Sequence, residues 1–436
     1  MYHAPFHRRI LPWLYVAIFL GVAPILIFYT AGYRYNSKKH QIERSGTLIV
    51  NTSPKGTRVF LDGHDTQEVS PITFQNITPG WHELRIEKSG YHTWQRTLNV
   101  RAEQVTFATD VWLWRQADPS LLYNGTIRAL RTDPTGQQMA IISSEATSSV
   151  FNIWTQDSGW QSHDILPNLS PTSSAPLALQ WRDDGQALVI NGLDPLDTSW
   201  WVQSRNNEAA SDILPSGIYH WSQQELVGSN ESRSFRLDPD RHTFMRDILP
   251  TSTLSADRNV SIQSVSSSIN LRLSYEGFQT HVFALPYGDW RIAGFKQAYT
   301  LLKDKQRWLA LEPALKRPFL SQVYGDYPRW LPEAILPRAL FIHGYELWDW
   351  TLDHQPVLLW RQSEPLVQAA WHRNGTTVFI ATDRQVMALN TSPTQDRANV
   401  VLAQFDHIQD MDVFGKNLMV AGTKDGKEGL WSLPIE

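Results

Sequence analysis

An uninterrupted apolar run stands near the start of the chain, and the sequence after it is polar enough to be surrounded by water. Residues 10–33 contain no charged side chain, and Arg34 follows directly. A helix needs roughly 20 apolar residues to cross the hydrocarbon core of a bilayer. Aromatic residues typical of membrane–water boundaries lie towards both ends of the run, namely Trp13, Tyr15, Tyr29 and Tyr33. The pattern predicts a transmembrane helix over residues 10–33, after a short cytoplasmic tail at residues 1–9.

Two other interpretations of the apolar run are weaker. A cleaved signal peptide usually has an apolar core of about 7–15 residues, and no A-x-A cleavage site stands out here. A buried core helix normally shows a polar face, which this run lacks. Counted literally, the flanking Lys and Arg residues favour a cytoplasmic location for the bulk of the chain. Long domains, however, cross membranes largely regardless of such charges.

Short alternating segments replace the apolar run after residue 45. Residues 34–45 are charged and predict a linker, and residues 46–115 predict a small β-sandwich of about five strands. Asp62-Gly63 is suited to a tight hairpin turn, because both positions tolerate positive φ angles. In the last strands, alternation predicts that Val105, Phe107, Val111 and Leu113 share one face.

The turn residues of this segment resemble those of the PEGA domain in their usual order. The matching elements are 53–57 (SPKGT), 59–63 (VFLDG), 70–71 (SP), 79–82 (PGWH) and 88–91 (KSGY). The eponymous tetrapeptide appears as Pro54-Lys55-Gly56-Thr57, so its second and fourth positions differ from the family pattern. The resemblance implies a non-catalytic sandwich of the cell envelope. It also favours a location of the bulk outside the cytoplasm.

Weak internal repeats begin near residue 120. Three segments each predict a strand, a polar turn with Asp or Asn before Gly, and an apolar strand; they are residues 130–141, 180–190 and 370–380. Further strands end in Trp at similar distances. The pattern resembles the hairpins of TolB-like and WD40-like propeller blades.

The length of residues 120–436 therefore predicts a β-propeller. Division by the ~40–45 residues of a typical blade gives about seven blades, with six or eight as alternatives. A tandem of β-sandwiches or an irregular solenoid is the other interpretation of the repeats. The predicted fold class is all-β behind one N-terminal transmembrane helix: a PEGA-like sandwich followed by a propeller.

Composition excludes several classes of function. The formal net charge of −4 provides no basic field for nucleic-acid binding. The chain has no Cys, which excludes thiol catalysis and Cys-based zinc sites. The common metalloprotease, hydrolase and phosphate-binding signatures are absent. The sequence therefore predicts no catalytic, cofactor-binding or metal-ligating residue, and no cofactor.

Acidic and tryptophan clusters have structural interpretations that we favour over functional ones. Asp133 and Asp183-Asp184 suit hairpin turns better than metal binding, and 238–242 (DPDRH) suits a surface loop. Trp200-Trp201 could expose one ring for a carbohydrate or protein contact. In a propeller, however, both faces of each sheet pack on neighbours, so we expect these rings to be buried, as for Trp348 and Trp350.

The sequence supports three functional hypotheses. The first is a single-pass membrane protein that displays the sandwich and the propeller outside the cytoplasm and binds an envelope protein or a cell-wall polymer through propeller loops. The second is a propeller hydrolase or lyase acting on envelope polysaccharide, which requires converging, desolvated carboxylates at one mouth of the central channel. The third is a sensor, whose tail at residues 1–9 is too short for a signalling domain.

Overall fold

The described part of the chain divides into two compact units, one within residues 1–116 and the other within residues 117–435. The structure, a computed structural model, describes residues 6–30, 32–36, 41–145, 148–157, 159–165, 177–192, 199–205, 208–214, 218–222, 225–229, 234–238, 243–247, 252–255, 258–265, 268–275, 281–297, 299–311, 321–332, 334–392 and 399–436.

The first unit begins with helix α1, Phe6–Thr30. Its segment Trp13–Thr30 is long and apolar enough to cross a membrane, and none of that segment is buried by other parts of the chain. The helix ends before the predicted residue 33, because Gly32 adopts a left-handed φ of 83° and turns the chain. The N–H of Gly32 donates to the Tyr29 carbonyl at 3.2 Å, a bond typical of a helix C-terminus.

A two-stranded hairpin occupies the region predicted as a linker over residues 34–45. Strand β1, Tyr33–Asn36, pairs in antiparallel fashion with β2, Gln41–Arg44. Tyr35 lies opposite Ile42 in this pairing. The polar composition of residues 34–45 concealed the hairpin in the sequence.

Seven strands form the sandwich of the first unit. They are β3 Gly46–Ser53, β4 Arg58–Leu61, β5 His64–Val69, β6 Ile72–Ile77, β7 Gly80–Glu87, β8 Trp94–Val100 and β9 Val105–Trp112. One sheet has the order β6-β3-β9 and the other β5-β4-β7-β8, with β3 and β9 parallel. The core between them contains Leu48, Val50, Leu84, Ile86 and Val111, each at most 1% exposed. Asp62 and Gly63 adopt positive φ angles of 51° and 80°, as predicted for their hairpin turn.

The prediction for the start of β9 was wrong. Val105 and Phe107 are 46% and 59% exposed, whereas Ala108 and Val111 point into the core. Alternation defines which residues share a face, but it does not define which face is buried. A register shift between β3 and β9 follows the pair Val50 and Ala108, so Val111 points into the core although simple alternation puts it on the face of Val105 and Phe107.

Three buried hydroxyl groups join the loops that carry the PEGA-like motifs. The Thr57 Oγ1 lies 3.1 Å from the Thr52 Oγ1 and 2.7 Å from the Ser70 Oγ. The Ser70 Oγ also accepts the backbone N–H of Thr57 at 3.2 Å. Buried polar groups need such partners, so the three hydroxyls depend on one another.

The second unit consists of eight four-stranded antiparallel sheets, and each of the first four uses strands consecutive in sequence. Sheet 8 also contains β10, Ser120–Asn124. Sheet 1 comprises β11 Thr126–Thr132, β12 Gln138–Ser144, β13 Ser149–Thr155 and β14 Gly159–Ile165; sheet 2, β15 Leu177–Trp181, β16 Ala187–Gly192, β17 Ser199–Arg205 and β18 Glu208–Leu214; sheet 3, β19 Ile218–Ser222, β20 Glu225–Ser229, β21 Ser234–Asp238 and β22 Thr243–Asp247; sheet 4, β23 Ser252–Ser255, β24 Arg258–Val265, β25 Ser268–Tyr275 and β26 His281–Leu285.

The next three sheets follow the same plan, and the last sheet uses both ends of the unit. Sheet 5 comprises β27 Arg291–Lys296, β28 Tyr299–Asp304, β29 Arg307–Leu311 and β30 Ser321–Tyr324; sheet 6, β31 Arg329–Trp330, β32 Arg338–His343, β33 Glu346–Thr351 and β34 Val357–Arg361; sheet 7, β35 Leu366–Trp371, β36 Thr377–Thr382, β37 Gln385–Asn390 and β38 Asn399–Gln404; sheet 8, β39 His407–Phe414, β40 Asn417–Lys424, β41 Lys427–Pro434 and β10.

The first strands of the sheets line the centre of a propeller. Contacts between first strands join β35 to β39, β39 to β11, β11 to β15, and β15 to β19. Sheet 4 departs from this plan, because β19 contacts β27 and β23 contacts β20. Sheet 4 therefore does not separate the first strands of sheets 3 and 5. The sequence predicted about seven blades with six or eight as alternatives, and the described residues of the unit form eight four-stranded sheets.

Closure of the ring joins the two ends of the unit. Strand β10 pairs with β41, and Ser120 lies opposite Ser432 across 312 residues of chain. Gly429 makes this pairing possible, since a Cβ atom at that position would lie 2.2 Å from the Tyr123 carbonyl oxygen. The innermost and outermost strands of sheet 8 thus come from opposite ends of the unit.

Tryptophan side chains connect neighbouring sheets near the channel. In three sheets a Trp of the first strand donates its indole N–H to a carbonyl on the first strand of the preceding sheet. The bonds are Trp181 to Arg131 at 3.0 Å, Trp221 to Gln180 at 2.9 Å and Trp371 to Arg329 at 3.1 Å. Trp350 is fully buried and Trp348 packs against the same core, as expected. The side chains of Trp200 and Trp201 lie outside the described residues.

The three predicted repeat hairpins are the connections between the first and second strands of sheets 1, 2 and 7. In each, Gly stands at positive φ: 71° at Gly136, 71° at Gly185 and 68° at Gly375. The Asp184 Oδ1 accepts the N–H of Gln186 at 2.9 Å, and the Asn374 Oδ1 accepts that of Thr377 at 2.9 Å. Residues 239–242 of the predicted surface loop lie outside the described residues.

We expect the substitution Ser70→Ala to destabilise the sandwich by about 1–3 kcal/mol, because the Thr57 N–H and two buried hydroxyls lose a partner. Amide hydrogen exchange of the peptides from residues 45–111 in the full chain measures this loss. Ser89→Ala, in an exposed turn, is the matched control. Equal protection in the two variants would contradict the proposed role of the hydroxyl group.

Candidate functional site

Five polar side chains meet in the channel of the propeller. This channel cluster consists of Arg131 on β11, Arg329 on β31, Gln368 on β35, and Asp410 and Asp412 on β39. The four strands are the first strands of sheets 6, 7, 8 and 1. Asp410 and Asp412 are two residues apart on one strand, so their side chains project from the same side.

Both carboxylates of the channel cluster bind the free edge of β11. The Asp410 Oδ2 accepts the backbone N–H of Leu130 at 3.0 Å, and the Asp412 Oδ2 accepts that of Thr132 at 3.0 Å. A first strand has a neighbour in its own sheet on one side only, so its other edge exposes unpaired backbone groups. The two aspartates satisfy part of that edge and join sheet 8 to sheet 1.

Arg329 extends the channel cluster across two further sheets. Its Nε donates to the Gln368 Oε1 at 3.0 Å, and the Gln368 Nε2 donates to the Asp410 Oδ1 at 2.7 Å. The Arg329 Nη2 lies 3.5 Å from the Asp410 Oδ1, and its Nη1 lies 3.9 Å from the Asp412 Oδ2. Arg131 approaches the same Asp412 oxygen at 3.7 Å from the opposite side.

The charges of the channel cluster balance in a nearly dry environment. The side chains of Arg329 and Asp412 are 14% and 15% exposed. Burial raises the pKa of Asp412 to about 6, although Arg131 and the N–H groups of Thr132 and Val413 act in the opposite direction. The neighbouring charge of Asp410 raises this pKa further. Two cations beside two desolvated carboxylates avoid the large free-energy cost of an unpaired buried charge.

The channel cluster supplies the desolvated carboxylates that the enzyme hypothesis requires, but their oxygens are engaged. The Asp410 Oδ1 accepts from Gln368 and Met411, and its Oδ2 accepts from Leu130. The Asp412 oxygens accept the N–H groups of Val413 and Thr132. Every carboxylate oxygen therefore has a donor within the protein. The arrangement is suited to holding four sheets together rather than to proton transfer with a substrate.

The acidic residues singled out in the sequence lie elsewhere. The Asp133 Oδ1 accepts the N–H of Gln138 at 2.8 Å within its turn, and Asp183 forms an exposed ion pair with Lys296 at 3.3 Å. Within the described ranges, no group of three or more His, Asp and Glu side chains is arranged to hold a metal ion.

Three exposed tyrosines form a second candidate site, here called the tyrosine surface. Tyr287, Tyr324 and Tyr345 are 91%, 47% and 51% exposed. They lie in or beside the connections β26–β27, β30–β31 and β32–β33. In up-and-down sheets, the connection from the second to the third strand and the connection to the next sheet lie at the same end. The three tyrosines therefore share one end of the propeller.

Hydrogen bonds and a ring contact hold the segments that carry the tyrosine surface. The Arg307 Nη2 donates to the Tyr287 carbonyl at 2.9 Å, and the Gly325 N–H donates to the Gln306 carbonyl at 2.9 Å. The rings of Tyr324 and His343 are 6.0 Å apart. These contacts tie the three connections to the rigid strands of sheets 5 and 6. Neither this surface nor the channel cluster had a recognisable motif in the sequence.

Residues 45–111 match the PEGA domain family, so the sandwich of the first unit is a PEGA domain. No curated protein sequence matches the chain. The propeller is similar to several solved WD40-type propellers. For the Dos1 propeller, the identity is 11%, the coverage 73% of this chain and 96% of that one, and the TM-score 0.45. For Kluyveromyces lactis Hsv2, the corresponding values are 10%, 60%, 98% and 0.37.

A third similar structure is the propeller domain of Myceliophteria thermophila Cps50 (Swd1), with 12% identity, 60% and 96% coverage, and a TM-score of 0.39. At these identities the likeness concerns the fold alone. The assignment of a propeller to this chain rests on its own eight sheets and their closure.

We expect the propeller to become less stable as the pH rises from about 4 to about 6, through the titration of Asp412. Its folded-state pKa of about 6 exceeds the ordinary value of 3.8, so the folded state binds the additional proton in this window. The effect amounts to at most about 3 kcal/mol. Urea unfolding at several pH values measures it.

The variant Asp412→Asn should lose this contribution to the pH dependence. Asp157→Asn, at an exposed turn of sheet 1, should retain the wild-type profile. If the free energies of unfolding of Asp412→Asn and the wild type changed with pH in parallel, the burial of Asp412 would have no electrostatic consequence.

Proposed function

We propose that the protein is a single-pass, membrane-anchored envelope protein that displays its PEGA domain and propeller outside the cytoplasm. In this proposal the propeller binds an envelope protein through the tyrosine surface. Exposure of Tyr287, Tyr324 and Tyr345 on a rigid end of the propeller is the observation that carries it. Tyrosine contributes a large amphipathic contact area at low conformational entropy, and it is enriched among residues that dominate binding energy.

Helix α1 supports the anchoring part of the proposal. Its apolar side chains are exposed to their surroundings, including Phe19 at 67% and Leu20 at 66%. Water around a full turn of such side chains would be unfavourable by about 25 cal/mol per Å² of apolar area. A bilayer removes that penalty. The PEGA domain favours an extracytoplasmic location, because PEGA domains are typical of envelope proteins.

A cell-wall polymer is the second candidate ligand, because tyrosine rings also pack against sugar rings. A hydrolase or lyase is less well supported. Such an enzyme needs a carboxylate that is free to exchange protons with its substrate. In the channel cluster, all four oxygens of Asp410 and Asp412 have protein donors.

The test is a capture experiment with the full chain in nanodiscs, presented with isolated wall sacculi or with solubilised envelope proteins. We expect the triple variant Tyr287→Ser, Tyr324→Ser and Tyr345→Ser to lose specific capture of a protein by at least about tenfold, since each aromatic anchor contributes on the order of 1–2 kcal/mol. Loss of capture from sacculi instead would identify the wall polymer as the ligand.

The matched control changes exposed apolar residues at the opposite end of the same part of the propeller. Ile335, Leu336 and Val357 are 94%, 44% and 51% exposed. The first two lie in the connection between β31 and β32, and Val357 follows the connection between β33 and β34. The triple Ser variant at these positions should capture the ligand like the wild type. An equal loss in both triple variants, or no loss in either, would contradict a binding role for the tyrosine surface.

A further inference from the structure

The β1–β2 hairpin brings the end of the apolar helix directly to the start of the PEGA domain. The N–H of Ser45 donates to the Gly32 carbonyl at 2.9 Å. Gly32 lies two residues after the end of α1, and Ser45 directly precedes β3. The twelve residues between them therefore add no separation between helix and sandwich. A flexible linker of this length could instead hold the domain well away from the helix.

A stack of side chains reinforces this junction. The rings of Phe28 and Tyr33 are in edge contact at 5.2 Å, and the Arg44 guanidinium lies 5.1 Å from the centre of the Tyr33 ring. The Arg44 Nη1 donates to the Glu103 Oε1 at 2.6 Å. The Glu103 N–H donates in turn to the Ser45 carbonyl at 3.1 Å. The turn that contains Glu103 is thus fixed beside the end of the helix.

The strand directions define which part of the sandwich lies at this junction. Gly46 at the start of β3 is opposite Ile77 at the end of β6, and Gly80 at the start of β7 is opposite Val100 at the end of β8. Strand β9 starts directly after the turn at residues 101–104. The junction end of the sandwich therefore contains the first residues of β3, β7 and β9.

Three large exposed side chains surround this junction end. Trp81 is the second residue of β7 and is 69% exposed, and Val105 and Phe107 are the first and third residues of β9. At about 3.3 Å per residue along a strand, all three lie within roughly 7 Å of the end of their sheet. Trp81 stands on the outer face of one sheet, and the other two stand on the outer face of the other. Arg101 adds an exposed basic residue between them.

This combination matches the chemistry of the bilayer interface. Trp is enriched at the level of the lipid headgroups, and apolar and basic side chains together bind that layer. The interfacial layer is about 5–8 Å thick on each side of the hydrocarbon core. The exposed side chains of the junction end therefore span a depth similar to that of the interface.

We propose that the junction end of the PEGA domain rests on the lipid headgroups, with Trp81 on one flank and Val105 and Phe107 on the other inserted into the interface. The inference depends on the proposed membrane anchor, and it adds a second lipid contact made by the domain itself. The lipid contact would then fix the orientation of the sandwich relative to the membrane, which a flexible linker alone would not do.

The absence of Cys from the chain permits a direct test with single labelled thiols. Asn99→Cys places a fluorophore opposite Trp81, and Ala102→Cys places one in the junction turn. Ser89→Cys labels the turn at the far end of β7, and Leu20→Cys labels the helix. Each full-length variant is studied in phosphatidylcholine nanodiscs that contain either headgroup or acyl-chain nitroxide lipids.

We expect headgroup nitroxides to quench the labels at positions 99 and 102 at least about threefold more strongly than the label at position 89, because only the first two reach the interfacial layer. Adding Trp81→Ser and Phe107→Ser should lower the quenching at position 102 about twofold, because the inserted side chains are lost.

The labels separate the two proposals. Quenching of the label at position 20 by acyl-chain nitroxides, with no more quenching at 99 and 102 than at 89, would overturn the lipid contact of the domain and leave the anchor intact. No quenching at position 20 would overturn the membrane anchor itself, and the inference with it.

Discussion

Closure of the propeller is the constraint on which the second unit depends. A row of sheets exposes unpaired backbone at both ends, and a closed ring removes those ends. Here β10 supplies the fourth strand of sheet 8, so residues 120–124 and 427–434 depend on each other. In the channel, Asp410 and Asp412 of the same sheet bind the free edge of β11. Sheet 8 is thus joined to sheet 1 both at its outer strand and at the centre.

The charges in the channel explain how neighbouring sheets of the propeller are held in fixed positions. Arg131 and Arg329 approach the carboxylates of sheet 8 from two sides, and Gln368 connects Arg329 to Asp410. Buried charges of opposite sign stabilise one another at these distances, and removal of one partner leaves the others uncompensated. The tyrosine surface lies on sheets 5 and 6, and only sheet 6 contributes a residue, Arg329, to the channel cluster. Loops on a rigid scaffold lose little entropy on binding. In the first unit, the hydrogen bond between Ser45 and Gly32 likewise fixes the start of the PEGA domain beside the end of helix α1.

Local patterns in the sequence predicted most of the fold, whereas the candidate sites depend on distant residues. Asp or Asn before Gly predicted the hairpins of sheets 1, 2 and 7, because the turn requires those residue types wherever it occurs. Arg131 and Asp412 are joined only by ring closure, and no local pattern marks either one. Alternation grouped Val105 with Phe107 correctly but placed them on the same face as the buried Val111 and Leu113. The β1–β2 hairpin was missed because residues 34–45 are mostly polar and charged.

The most direct test of ring closure is a disulfide between strands β10 and β41, introduced by Ser120→Cys and Ser432→Cys in this chain without other thiols. The two residues are cross-strand partners, at a Cα separation of about 5 Å that a disulfide can span. Mild oxidation of the folded chain, followed by proteolysis and mass spectrometry, should yield a cross-linked peptide pair much faster than oxidation in urea. Equal and slow formation in both conditions would mean that the two ends do not meet, and the closed propeller would be wrong.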